Sequence, residues 1–191
     1  GRHDDQVMQP HWRSLARAEA EMAGQRVTVA GVDEAGRGPL AGPVVAAAVV
    51  LDLSLEWDGL DDSKQLTAAK REKLYAQVLQ GARAFRWCVV GPRAIDRDNI
   101  RRATLYAMSR SVRGLSLKPE LVLVDGKDTA PGLTCEQRAV VDGDATCLSI
   151  AAASILAKVV RDRIMTRLDR VWPQYGFAKH KGYGSAEHMA A

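Results

Sequence analysis

No run of apolar residues among the 191 is long enough to cross a membrane as a helix. The longest stretch, Pro43 to Leu51, has the length of one buried strand, whereas a span needs about 18 residues. Residues 1–26 are polar and charged and hold no apolar h-region, so they do not form a secretory signal and are left outside the predicted fold. Cysteine is scarce. Cys88, Cys135 and Cys147 are widely spaced and make no C-x-x-C pair, which excludes a zinc ribbon and a disulfide framework and predicts free thiols in a reducing cytoplasm. There is no internal repeat and no low-complexity linker. Charge of one sign is also modest. The 27 Lys and Arg against 23 Asp and Glu leave +4, which permits an acidic partner such as nucleic acid without demonstrating one. At 47% hydrophobic and 26% charged the composition is that of a globular domain, not of a disordered or collagen-like chain.

What is present reads as one α/β domain over 27–191. Val27 to Val32 (VTVAGV) predicts a strand, and Pro43 to Leu51 a second. Two nearly continuous apolar runs belong in a sheet covered on both faces. Thr67 caps a predicted helix through Gln80, with Gly81 just past its end. Ala84 to Val90 is a third strand. A helix from about Arg97 to Arg113 stops at Gly114, and Leu121 to Val124 and Ala139 to Val141 are short strands. A long helix from about Ser149 to Val171 ends before Pro173. The order β, β, α, β, α, β, β, α predicts a mixed five-stranded sheet flanked by helices.

Four acids stand out by position. Asp33 and Glu34 follow the first strand, Asp125 follows LVLV, and Asp144 follows AVV in VVDGDATC. If those three strands lie side by side and parallel, the acids converge at one sheet edge, where open α/β sheets bind ligands. Carboxylates gathered that closely repel and raise each other's pKa unless a cation sits between them. An all-oxygen set suits Mg²⁺ or Mn²⁺ and not zinc. Sites of this type hold two ions about 4 Å apart and hydrolyse phosphodiesters. Taken singly, Asp125 before Gly126 and Asp144 after Gly143 are ordinary turn pairs. The adjacent pair Asp33–Glu34 is not explained that way.

The segment after Glu34, AGRGPLAGP, does not match the dinucleotide fingerprint. Its spacing is off by one, and Pro39, Pro43 and a strand follow where a helix is required. It is either a tight connection between strands or a place where Gly36 and Gly38 admit a ligand close to the backbone, with Arg37 near a phosphate.

The segments VAGVDEAGRGPLAGPVV, DDSKQL, LVLVDGKD, AVVDGDA, SIAAASILAKVVRDR and YGFAKHKGYGS resemble, in order, those of bacterial type 2 ribonuclease H, and span Val27 to Ser185. The resemblance implies the RNase H fold and hydrolysis of RNA in RNA/DNA hybrids. It also implies incision at single ribonucleotides embedded in duplex DNA, on the 5′ side, leaving 5′-phosphate and 3′-hydroxyl ends. It implies that Asp33, Glu34, Asp125 and Asp144 bind metal. Gly36, Arg37 and Gly38 would sense the 2′-hydroxyl that separates RNA from DNA. Ser63 and Lys64 would contact phosphate, Tyr183 the sugar 3′ of the cut, and Lys158, His180 and Lys181 the duplex. Taken alone, Ser63 and Lys64 also fit the start of a solvated helix, Tyr183 a core aromatic, His180 and Lys181 a solvated loop, and Asp162 a partner for Arg161, Arg163 or Lys158.

Two departures from that family are visible. Relatives carry KGDS around the fourth acid where this chain has Asp142 and Ala145, and relatives continue past HKGYGS with a helix and a basic tail. A sliding-clamp contact is expected to lie in such a tail. Arginines are dense in Pro92 to Arg113 and in Lys158 to Arg170, as solvated helix faces or as phosphate neutralisers. The expectation is a cytoplasmic, monomeric enzyme with no membrane association. The competing readings are a type 3 ribonuclease H, a catalytically silent hybrid-binding module, and a phosphatase. The first is disfavoured because that group has an extra N-terminal domain and no intact G-R-G. The second would show a missing acid, and the third a covalent phosphoryl acceptor.

Overall fold

A computed structural model describes residues 11–36, 42–62, 66–91 and 99–171. Helix α1 (His11–Ala23) precedes strands β1 (Val29–Ala35) and β2 (Val44–Leu51). A 3₁₀ turn at Leu60–Asp62 leads to α2 (Ala68–Gly81), β3 (Ala82–Val90) and α3 (Ile100–Arg113). The chain goes on through β4 (Leu121–Asp125), β5 (Glu136–Val140), the single turn α4 (Gly143–Thr146) and the 24-residue α5 (Leu148–Val171). Caps mark the helix starts. The Thr67 side chain accepts from the Lys70 amide at 3.3 Å, and the Asn99 side chain accepts from the Arg102 amide at 3.0 Å.

The five strands form one mixed sheet in the order β3-β2-β1-β4-β5. β2 runs antiparallel to both β1 and β3, whereas β1, β4 and β5 are parallel. Strand β2 is buried along its whole length because both its faces are covered. Val45, Ala47 and Val49 face α1, α2 and α5, while Ala46, Ala48 and Val50 face Ala103, Ala107, Met108 and Val112 of α3.

Helix α5 lies on β1 at a separation that leaves no room for a side chain. A Cβ at Gly31 would overlap the backbone of Ser149 and Ile150, and one at Gly36 would overlap Arg161 and the Pro43 carbonyl. Five residues of strand and twelve of helix each cover about 17–18 Å, so α5 runs alongside β1 in the same direction and continues past its end.

The structure departs from the sequence reading in several places. Residues 11–23, set outside the fold, form α1, which contributes Trp12 and Leu15 to the core. Its Glu19, almost wholly buried, accepts from the Ser149 amide and the Ser149 hydroxyl, both at 2.7 Å. It thereby satisfies the start of α5 from 130 residues away, and burial pushes its carboxyl above the ordinary range. β1 does not stop before the acids but carries them, with Asp33 opposite Ala47 and Glu34 opposite Ala46. β5 begins three residues before the predicted Ala139. Asp162 pairs with Arg71 of α2 at 3.4 Å, not with its own helix neighbours. The three cysteines are free as expected, and burial pushes the Cys147 thiol up to about 11.

Gly31→Ala should therefore push α5 off β1. The expected cost is that of a badly overpacked core site, about 3 kcal/mol or more, read as a lower urea midpoint. A midpoint close to that of the parent would mean that the helix is not seated this tightly.

Candidate metal centre

Parallel strands β1 and β4 bring their C-terminal ends to one edge. Their last paired rung is Val32 with Val124, and the next residues on the two strands are Asp33 and Asp125. By alternation both side chains turn to the face of Gly31 and Leu123, under the start of α5. Glu34 alternates to the other face, yet a carboxylate oxygen of it reaches the same point. One oxygen each from Asp33, Glu34 and Asp125 lie within 4.8 Å of one another. Asp33 is nearly buried and Asp125 half-buried.

The fourth acid arrives by a different route. After β5 the chain turns through Asp142, the one non-glycine residue with positive φ (53°) among the described residues, into α4. The Gly143 amide donates to Asp125 Oδ1 at 2.7 Å. A Cβ at Gly143 would crowd that oxygen and the Ile150 side chain, so glycine there lets α4 close on β4. Asp144, buried in the first turn of α4, bonds Asp125 through its backbone amide, and its charge pushes Asp125 upward. Asp142 and Ala145, on either side of this acid, are both exposed.

Electrostatics at this edge are unfavourable without a counter-charge. Burial first, then the charges of Glu34 and Asp125, hold the Asp33 carboxyl well above the usual carboxylate range. Burial also raises Asp125, against the lowering effect of the Gly143 amide. Such an all-oxygen donor set fits a hard divalent cation, whose charge would offset the repulsion.

Of the remaining predicted site residues, Gly36 (φ 98°) and Lys158 fall in the described part. Gly36 follows β1 directly, and Lys158 is half-buried on α5. Arg37, Gly38, Ser63, Lys64, His180, Lys181 and Tyr183 lie outside the described residues. Sequence reasoning missed Arg161, which is only 1% exposed. Its Nε donates to the Pro43 carbonyl at 3.0 Å, and it packs where a Gly36 side chain would be. The signal was its spacing: Ala153, Ala157, Arg161 and Met165 form an i, i+4 stripe that is buried throughout.

Residues 30–191 match the model of the family described as Ribonuclease HII. The chain belongs to the ribonuclease HII family. Among curated relatives, Ribonuclease HII of Xanthobacter autotrophicus is 55% identical over 177 residues, 93% of this chain and 70% of that protein. Ribonuclease HII of Geobacillus thermodenitrificans is 52% identical over 188 residues, 98% of this chain and 72% of that protein. The crystal structure of ribonuclease H2 from Pyrococcus horikoshii superposes with a TM-score of 0.74 at 31% identity, covering 85% of this chain and 83% of that one. RNase HII in its complex with PCNA from Archaeoglobus fulgidus gives 0.70 at 28%, covering 86% and 85%. The mixed sheet with its flanking helices is thus the RNase H-like fold. As a ribonuclease HII family member the chain is a metal-dependent hydrolase, an endoribonuclease acting on RNA/DNA hybrids.

Because the native state raises Asp33 and Asp125, it holds their protons more tightly than the unfolded chain. Metal-free stability therefore declines as pH climbs from the ordinary carboxyl value, 3.8, through the raised ones. Asp125→Asn removes one of these charges while keeping an oxygen to accept from Gly143. In chelator at pH 7 its melting temperature should equal or exceed the parent's, and the gap should close toward pH 4. Its cleavage of hybrid in Mg²⁺ should fall by more than the roughly 10–100-fold typical of residues that only support a ligand. Near-parent turnover would remove Asp125 from the metal set.

Proposed function

We propose that Asp33, Glu34, Asp125 and Asp144 are the ligand set for Mg²⁺ or Mn²⁺, two ions with substrate bound. We further propose that the enzyme incises duplex DNA on the 5′ side of a single embedded ribonucleotide as well as cutting hybrids. The observation that carries this reading is the convergence of the Asp33, Glu34 and Asp125 carboxylates at the ends of parallel strands β1 and β4, with Asp33 and Asp125 pushed upward by burial and the Asp144 turn closed against Asp125. Divalent cations held there would supply charge neutralisation at the scissile phosphate and an activated water.

The protein's own part is orientation. The Gly143 amide donates to Asp125 Oδ1 and the Glu34 amide to Asp33 Oδ1, both at 2.7 Å, and these bonds hold the two carboxylates in place at the strand ends. Gly36, Arg37 and Gly38 would read the ribose 2′-hydroxyl, Ser63 and Lys64 a phosphate, and Tyr183 the sugar beyond the cut. Lys158, His180 and Lys181 would track the duplex backbone. Such contacts read shape and backbone without reading bases, as a repair and primer-removal nuclease requires. We place this work in the cytoplasm, carried out by a monomer. No described helix is long and apolar enough to cross a membrane. The Archaeoglobus complex with PCNA supports a sliding-clamp contact here too.

In the cut, water oxygen adds to phosphorus and the bond to the 3′ oxygen breaks. The phosphate stays on the 5′ end of the ribonucleotide, and the upstream strand keeps a 3′-hydroxyl. The 2′-hydroxyl is recognised and does not attack. A DNA duplex with one ribonucleotide should thus yield only 5′-phosphate and 3′-hydroxyl ends, with the cut 5′ of the ribonucleotide and none when chelator is present. A 2′,3′-cyclic phosphate, or cutting on the 3′ side, would overturn the mechanism.

A further inference from the structure

The C-terminal half of α5 extends past the end of β1, and its arginines are not spread evenly. Arg163, Arg167 and Arg170, at i, i+4 and i+7, share one face, and that face lines a cleft against α2. Arg71, Ala68 and Glu72 form the α2 wall, and Asp162 and Thr166 complete the floor. Four arginines thus meet two carboxylates.

Internal contacts use part of that charge. Arg71 pairs with Asp162 at 3.4 Å, and Arg163 pairs with Glu72 at 2.7 Å while lying 4.4 Å over the Tyr75 ring. Arg167 and Arg170 are exposed and make no ion pair within the described residues. The two bound pairs brace the walls, and the two remaining guanidiniums leave an excess of positive charge.

Where the cleft lies indicates what it takes. Arg161 abuts Gly36, two residues beyond Glu34. Arg167 and Arg170 stand about 9 and 14 Å further along the helix axis. The cleft is therefore on the catalytic side of the sheet, about 15–20 Å from the acids. We propose that this arginine cleft between α2 and α5 binds a backbone phosphate of the substrate duplex about five base pairs from the cut, with Arg167 and Arg170 as its contacts. The proposal rests on the hybrid-cleaving reading above. A guanidinium is suited to it, because its planar fork matches two phosphate oxygens.

The test compares the parent with the double variant Arg167→Ala/Arg170→Ala on RNA/DNA hybrids of about 20 and about 6 base pairs, across a salt series. On the long hybrid the double variant should show a KM raised about tenfold near physiological salt, with kcat within about twofold. Its log-affinity against log-salt slope should be shallower by about 1, since one phosphate contact contributes about 0.7–0.9. On the short hybrid, which does not reach the cleft, parent and variant should agree. Arg167→Lys/Arg170→Lys should restore most of the salt slope, and a thermal melt should show both variants folded. An unchanged KM and slope on the long hybrid, or an equal loss on both lengths, would overturn the cleft assignment. A parent that neither binds nor cuts hybrid would instead overturn the reading on which the proposal stands.

Discussion

Seating helix α5 on strand β1 without an intervening side chain is the constraint on which the rest depends. Gly31 is the point of contact, and the backbone of Ser149 occupies the space its side chain would take. That seat fixes where α5 begins, and so where the α4 turn carrying Asp144 must stand relative to Asp125. It also fixes the helix's direction, so that its far half overhangs the catalytic edge. Arg161 locks the second contact point, tied to the Pro43 carbonyl beneath the left-handed backbone of Gly36.

On that platform the site accepts an electrostatic penalty. Asp33 and Asp125 are consecutive to the last rung of a parallel pair, so backbone pairing itself forces their proximity. The fold offsets this locally with amide donors from Glu34, Gly143 and Asp144, and leaves the remaining imbalance for a cation. Tight backbone geometry and loose charge balance belong together here. A site that relaxed when empty would not present its oxygens at a fixed spacing.

Much of this was legible in the sequence. Acids placed directly after apolar runs marked strand ends, and three such runs sufficed to expect a shared edge. The boundaries were less legible, for physical reasons. Asp33 and Glu34 read as the end of a strand because charge interrupts an apolar run, yet the ladder to β2 is made by backbone groups and continues beneath them. β5 is an edge strand whose residues Glu136, Gln137 and Arg138 need no apolar pattern. α1 escaped because only one narrow side of it is buried and most of the rest is Arg, Glu and Ala. Arg161 was hidden among basic neighbours of its own helix, although its four-residue spacing from Ala157 and Met165 placed it on the buried stripe.

The tie between Glu19 and Ser149 bears on the order in which the chain assembles. The amide and hydroxyl at the start of the longest helix are answered by a carboxylate from the first helix, 130 residues upstream. During synthesis α1 therefore emerges long before its partner exists, with Trp12, Leu15 and Glu19 awaiting surfaces still to be made. Docking of α1 becomes a late, long-range closure, and loop entropy opposes it until α5 is complete. The N-terminal helix closes the fold over the start of α5, which directly follows the turn that carries Asp144.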